Sequence, residues 1–373
     1  MRTYFSLKKI LSKLKYILEE EGVKIFIKRF TSFVLFSLRT FLYKNNINTE
    51  LFEQLKKNNK CKRIFILGNG PSLNKTALHL LKSENVFVTN RFGLMLERLD
   101  FVPQYYSCID DRVLSSIADE IIQLSKKVRY VFLPLIHPSS GRNFHKVFKD
   151  IGDVYWLILN KFSYSLDLPY AGINKSVTNC SLQIAAYMGF TEIYLLGVDM
   201  NYEDHKSVKK ENNRDWTSNE DDDPNHFDPR YFGKGTKYHH PRLDETFKKW
   251  EEAKEFFKKK GVKIYNATVG GNLETFERVS LKDVIGISDK EEMMLFLKKF
   301  NITEYISLSL GDYFSNAKII DSEEEFDNKT DQLITNAEIA VKLIPKVIFD
   351  YIPYGPIFNQ YIFIKRENKL NDT

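Results

Sequence analysis

Hydrophobic and polar positions divide this chain into three stretches with different periods. In residues 1–46 apolar side chains recur at helical spacing: Phe5, Ile10, Leu11, Leu14, Ile17 and Leu18, then a denser run from Val23 to Tyr43. Lys24, Lys28, Arg29 and Arg39 interrupt the second run, so it falls short of the roughly 18 consecutive apolar residues that a spanning helix needs. This pattern predicts basic amphipathic helices, lying either on the inner leaflet of a membrane or against the main domain or a second subunit.

From residue 62 short apolar runs alternate with helical patterns. Strands are expected over 63–67, 86–89, 105–109, 129–133, 154–159, 192–196 and 262–265, and helices over 73–81, 178–188 and 241–260. Strands alternating with helices predict an α/β class, a Rossmann-like, mostly parallel sheet with helices on both faces. Polar residues gather where the strands end, at the edge where such sheets bind ligands. Residues 200–240 are dominated by Asn, Asp, Glu, His and Lys, as expected of a lid, a binding loop or a disordered segment. Beyond 286, Met293, Met294, Phe296, Leu297 and Phe300 return to helical spacing. The expected organisation is a basic amphipathic helical segment over 1–46, a Rossmann-like α/β domain over 60–285 and a mainly helical C-terminal region over 286–373, the last an interaction or oligomerisation module.

Composition narrows this picture only slightly. With 373 residues and 43% hydrophobic content the chain can bury a large core, and wholesale disorder is excluded. A formal net charge of +6 suits a partner bearing phosphate, or an anionic membrane surface, without demanding either. Cys61, Cys108 and Cys180 are widely spaced in apolar surroundings and read as reduced core residues of a cytosolic protein, with no zinc pattern. The N-terminal residues lack the apolar core and cleavage site of a secretory signal.

The candidate chemistry lies at strand ends. The strand at 64–67 runs into Gly68-Asn69-Gly70-Pro71-Ser72, a tight turn opening a helix; Pro71 suits a first helical position, and the free N–H groups there predict an anion site. Asn90 closes the second strand, where its amide is placed to read a base or sugar edge. Asp110 and Asp111 end the third strand, placed to accept from ribose hydroxyls or to hold a divalent cation. Ser176 and Thr178 open a second helix, so two helix beginnings around one phosphate are expected. Asp199 ends the strand at 192–196, with Tyr202 just beyond it. His239 and His240 stand before the charged helix; one is expected to act as a base and the other to pack or cap.

These pieces resemble two related families. The opening at Gly68–Ser72, the Asn at 90, the Ser-containing helix start and the run from Gly189 to Asp199 are similar to the bacterial sialyltransferases of glycosyltransferase family 42. The stretches 226–233 and 263–271 resemble the family named for 6-hydroxymethylpterin pyrophosphokinase, the MptE-like family. The resemblance spans roughly residues 60–285. It implies a glycosyltransferase moving an acidic sugar from a CMP-activated donor to a surface-glycan or lipid-linked acceptor with inversion, as in cell-surface polysaccharide synthesis. Asn69–Ser72, Asn90 and Ser176 would hold CMP, Tyr202 would assist phosphate departure and His239 would be the base. It implies no metal and no cofactor; the nucleotide sugar is a substrate. The alternatives are an ATP-dependent pterin pyrophosphokinase, which would use magnesium on Asp110, Asp111 or Asp199, and a non-catalytic glycan-assembly factor. The expected location is the cytoplasm, peripheral on the inner membrane face. A homo-oligomer fits this reading, and a nucleic-acid partner does not.

Overall fold

The computed structural model describes residues 23–58, 62–160, 163–204, 206–211, 215–286, 318–320, 332–336, 351–357 and 360–365. The calls on residues 1–22, on Cys61 and on the helical spacing at 293–300 fall outside them.

Helix α1 (Val23–Tyr43) leads to α2 (Thr49–Asn58) and then to the central strand β1 (Arg63–Leu67). Ile64, Phe65, Ile66 and Leu67 are all fully buried. Phe65 and Leu67 enter one core layer, Ile64 and Ile66 the other. A strand covered on both faces reads as an unbroken apolar run because neither set of alternate side chains meets water. Burial of each such side chain contributes about 1.5–3 kcal/mol.

The chain then builds outward on one side of β1 through β2 (Val86–Thr89), β3 (Tyr105–Ser107), β4 (Tyr130–Ile136), β5 (Val154–Asn160) and β6 (Tyr170–Gly172). Helices α3 (Asp111–Ser116), α4 (Ala118–Ser125) and α5 (Phe144–Val147) lie along this path. Helix α6 (Val177–Tyr187) crosses back, and β7 (Glu192–Leu196) enters on the other side of β1. Further on, α7 (Leu243–Lys258), β11 (Lys263–Asn266), β12 (Glu277–Arg278) and α8 (Leu281–Ile285) complete the body. The resulting nine-stranded sheet has the order β12-β11-β7-β1-β2-β3-β4-β5-β6, and every pairing in it is parallel. The order of strands reverses between β1 and β7, so the crevice at their carboxyl ends is the topological switch point, where open α/β sheets bind ligands. The expected Rossmann-like α/β class is what the chain adopts.

Two expectations are corrected and a third, for 200–240, is narrowed to an ordered segment. The helix expected over 73–81 is two short 3₁₀ turns, Pro71–Lys75 and Leu78–Leu81, because the chain becomes extended at Thr76 (φ −101°, ψ 133°) and Thr76 Oγ1 bonds back to the Ser72 carbonyl. The polar segment 200–240 carries a three-stranded antiparallel sheet of β8 (Val208–Lys210), β9 (Asp215–Ser218) and β10 (Lys237–His239). Tyr238 and Trp216 are its buried anchors. In the C-terminal region, where mainly helices were expected, the described residues are the strands β13 (Lys318–Ile320), β14 (Gln332–Asn336), β15 (Tyr351–Ile357) and β16 (Gln360–Lys365), which form one four-stranded sheet. The aromatic and β-branched run Tyr361-Ile362-Phe363-Ile364 favours a pleated strand over a helix.

Candidate functional site

The switch-point crevice is built by close backbone approach. Gly68 N–H donates to the Leu196 carbonyl (2.7 Å) and Gly70 N–H to the Gly197 carbonyl (2.9 Å). A Cβ on Gly68 would run into the Gly197 carbonyl, and one on Gly70 into the Asp199 carboxylate. The two glycines therefore let two strand ends touch. The Asp199 side chain occupies the turn that follows: Ser72 Oγ donates to Oδ2 (2.8 Å) and Ser72 N–H to Oδ1 (3.3 Å). Burial raises the Asp199 carboxyl above its ordinary value, with Ser72, Lys75 and His226 pulling the other way.

This changes what the turn can do. The N–H groups of Gly68, Gly70 and Ser72 are engaged internally, Pro71 has none, and Leu73 N–H bonds to the Gly70 carbonyl. What the turn presents is the Asn69 side chain. Its Nδ2 donates to Thr89 Oγ1 (3.0 Å), while its buried Oδ1 has no protein donor among the described residues. Asn90, at the end of β2 with φ +51°, is similar: its N–H bonds to the Ser107 carbonyl, its carbonyl accepts from Tyr106 Oη, its side chain bonds to Tyr231, and its buried Oδ1 has no donor among the described residues. Two acceptor oxygens thus stand at adjacent strand ends. Buried acceptors of this kind call for a donor beyond the described residues.

Ser176 and Thr178 are placed differently from Ser72. Ser176 Oγ accepts from Thr178 N–H and caps α6. Leu73 belongs to one core layer, whereas Cys180, Leu182 and Ile184 of α6 belong to the other. The two turns therefore flank the carboxyl edge from opposite faces of the sheet, and each uses its hydroxyl within the protein. Asp110 Oδ1 accepts from Arg112 N–H and Val113 N–H and caps α3, and Asp111 lies 3.9 Å from His137 Nδ1. Among the described residues, His, Cys, Asp and Glu form no group of three able to hold a metal ion.

The histidines divide by their surroundings. His239 Nδ1 lies 2.9 Å from Asp215 Oδ1, its cross-strand neighbour, and Arg112 Nη2 holds the same oxygen at 2.7 Å. His240 packs between Trp216 (4.2 Å between centroids) and Tyr202 (5.0 Å), with Nε2 3.5 Å from Asp204. Burial pushes the Tyr202 hydroxyl well above its ordinary value, so it stays protonated as a donor, and Tyr238 beside it is pushed up to about 12.

Sequence reasoning placed His226 at the start of a family-like stretch but gave it no catalytic role. Its Nδ1 lies 2.7 Å from Oδ2 of the buried Asp223, and its ring stacks on Tyr231 at 3.7 Å. Asp223 is itself held by Asn225 N–H and Phe232 N–H. The loop carrying these residues is clamped over β1 and β2: Phe227 N–H bonds to the Asn69 carbonyl, Asn74 Nδ2 to the Phe227 carbonyl, and Arg91 Nη1 to the carbonyls of Arg230 and Tyr231. Arg98 and Arg230 converge on Asp228; burial pushes that carboxyl up, but the two guanidiniums outweigh it and hold it below the usual range. The available signal was the spacing of Asp223 and His226 ahead of an aromatic cluster. A separate cavity of about 300 Å³, lined by Gln54, Arg129, Tyr130 and Asp153, lies at the amino ends of β4 and β5, away from this edge.

Known proteins match this chain in part. No curated protein matches it. Among solved structures, the MAf glycosyltransferase from Magnetospirillum magneticum AMB-1 is similar over 59% of this chain, with 15% identity and a TM-score of 0.38. The match spans about a third of that protein's length, 33%. The sialyltransferase CstII from Campylobacter jejuni, solved with the substrate analogue CMP-3FNeuAc, is similar over 59% of this chain and 86% of its own, with 16% identity and a TM-score of 0.34. The family described as 6-hydroxymethylpterin diphosphokinase MptE-like matches residues 40–205, from the end of α1 through β7 to Asp199 and Tyr202.

Proposed function

We propose that the chain is a glycosyltransferase that takes an acidic sugar from a CMP-activated donor at the crevice between β1 and β7. The observation that carries this reading is the pair of buried acceptors, Asn69 Oδ1 and Asn90 Oδ1, at adjacent strand ends. Oxygen acceptors select donors. Ribose hydroxyls and the exocyclic amine of cytosine are donors, whereas a phosphate is not. The nucleoside therefore belongs at these two amides. The phosphate belongs beside Lys75 and His226, the basic side chains that act on Asp199. In the transfer, an acceptor hydroxyl attacks the anomeric carbon, the bond to the CMP phosphate oxygen breaks with its electron pair leaving on CMP, and the hydroxyl proton passes to a histidine. His239 is the base in this reading, with the Asp215 carboxylate 2.9 Å from its Nδ1. Tyr202, held protonated, donates to the departing phosphate.

The family description supports a second reading, diphosphate transfer from ATP with magnesium. One panel separates the two. Thermal shifts with CMP, CDP, UDP, GDP and ATP, each with and without magnesium, should show stabilisation by CMP without metal. Stabilisation by ATP with magnesium alone would replace the first reading by the second. Asn69→Ala and Asn90→Ala should each weaken CMP binding about tenfold or more, because each removes an acceptor from a buried site. His239→Ala should slow CMP release while CMP still binds. Unchanged turnover in His226→Ala, His239→Ala and His240→Ala alike would remove the histidine base.

A further inference from the structure

Helix α1 rests one side against the body, partly buried, and exposes an apolar one. Phe36 and Tyr43 pack against the core layer, and Arg39 Nη1 donates to the Gly141 carbonyl at 2.6 Å. On the other side Ile27, Val34, Leu35, Leu38, Phe41 and Leu42 are exposed, Phe41 at 64% and Leu42 at 70%. Positions 27, 34, 38 and 41 recur every three, four or seven residues, so they form one stripe along the helix. Single exposed apolar residues need no explanation, but a continuous stripe marks an interaction surface. The 21 residues include Lys24, Lys28, Arg29 and Arg39 and no acidic residue. No helix among the described residues is long and apolar enough to cross a membrane.

We propose that this face of α1 docks on an anionic lipid surface and thereby holds the candidate site at the membrane. The charge favours lipid over a second copy of the chain. A symmetric pair of such helices would bring like charges together, whereas an anionic headgroup layer complements them while its acyl region takes the stripe. Gly141, which Arg39 grips, lies in the turn after the carboxyl end of β4. The helix is thus fastened at the same edge of the sheet that carries Asn69, Asn90 and Asp199. Docking α1 brings that edge to the headgroup layer, within reach of a lipid-linked acceptor. The acceptor class rests on the transferase reading; the docking does not, and it is measured without catalysis.

The test is co-sedimentation of the full chain with vesicles of phosphatidylcholine alone and with about a quarter phosphatidylglycerol. Binding should be about tenfold or more tighter to the anionic vesicles, and should weaken several-fold as salt rises from about 0.1 M to about 0.5 M. Leu38→Glu with Phe41→Glu should lose at least about tenfold in binding. Both side chains are exposed, so the melting temperature should hold; Ile27→Glu, an independent exposed position, should act in the same direction. Equal binding by the variants, or no preference for anionic vesicles, overturns the proposal. So does a dimer in light scattering that Leu38→Glu with Phe41→Glu converts to a monomer, which would assign the face to a second copy.

Discussion

A single carboxylate decides what the Gly68–Ser72 turn can bind. Asp199 takes the Ser72 N–H and hydroxyl that a ligand anion would otherwise use, and burial raises its pKa above the ordinary aspartate value of 3.8. A carboxyl with a raised folded-state pKa contributes stability when it is protonated, and that contribution is lost as pH rises through the folded value. Asp199→Asn preserves both contacts without charge, since an amide oxygen accepts from Ser72 N–H and its NH₂ donates to Ser72 Oγ. Wild type should therefore lose stability relative to Asp199→Asn as pH rises from about 4 towards 8, read as the difference in melting temperature. A constant difference across that range would show that Asp199 is not strained by burial. Gly70→Ala should be worse than either, costing about 2 kcal/mol or more, because its methyl meets the Asp199 carboxylate, which would have to leave its bonds to Ser72, and lies 3.0 Å from the Gly197 carbonyl. The glycines were legible as sites of close approach; the sequence could not show that the partner in the approach is the second strand end, more than a hundred residues away. A role for His226 was invisible for a related reason, since a histidine gains significance only once Asp223 is seen to be buried against it. Asp223→Asn should lower turnover at least tenfold with CMP binding retained, if His226 acts at the phosphate, because the amide no longer fixes the imidazole tautomer.

Strands whose apolar runs are complete were readable to the residue: β1, β2 and β7 stand where the pattern placed them. The failures fall where local pattern and tertiary contact disagree. Strand β6 has three residues, and β8 and β10 are three residues of mixed polarity, too short for any period to register. The region 223–233 looks solvated by composition, yet Phe227 is buried and Arg91 and Arg98 thread the loop to the sheet edge. A polar loop fastened this way should resist proteolysis as a true linker would not. Limited digestion of the native chain should spare 223–233, and Arg91→Ala should open it to cleavage, since that substitution frees the carbonyls of Arg230 and Tyr231. Cleavage there at equal rates in both proteins would mean that the loop is held by its aromatic core alone.

Across the whole molecule, strand order places the candidate chemistry. Because β7 returns beside β1 after five outward strands, residues near 70, 90, 199 and 226 share one crevice although no window of sequence contains them. Periodicity showed that the strands were parallel and buried; it carried no information on which edge each joined, and so could not place Ser176 on the far face from Ser72. Helix α1 poses the same question at its own scale. The pattern left 1–46 either on a membrane surface or against the main domain or a second subunit. In the structure Phe36 and Tyr43 lean on the core and Arg39 holds the β4 turn. Deletion of 1–46 should therefore cost about 2–4 kcal/mol in denaturant unfolding, from two half-buried aromatic side chains and one charge-assisted hydrogen bond. It follows that release from vesicles on deletion would mix lost docking with lost stability, whereas Leu38→Glu with Phe41→Glu alters the outward stripe and leaves the inward face intact. An unchanged unfolding free energy after deletion would mean that α1 contributes nothing to the body and that its outward stripe acts alone.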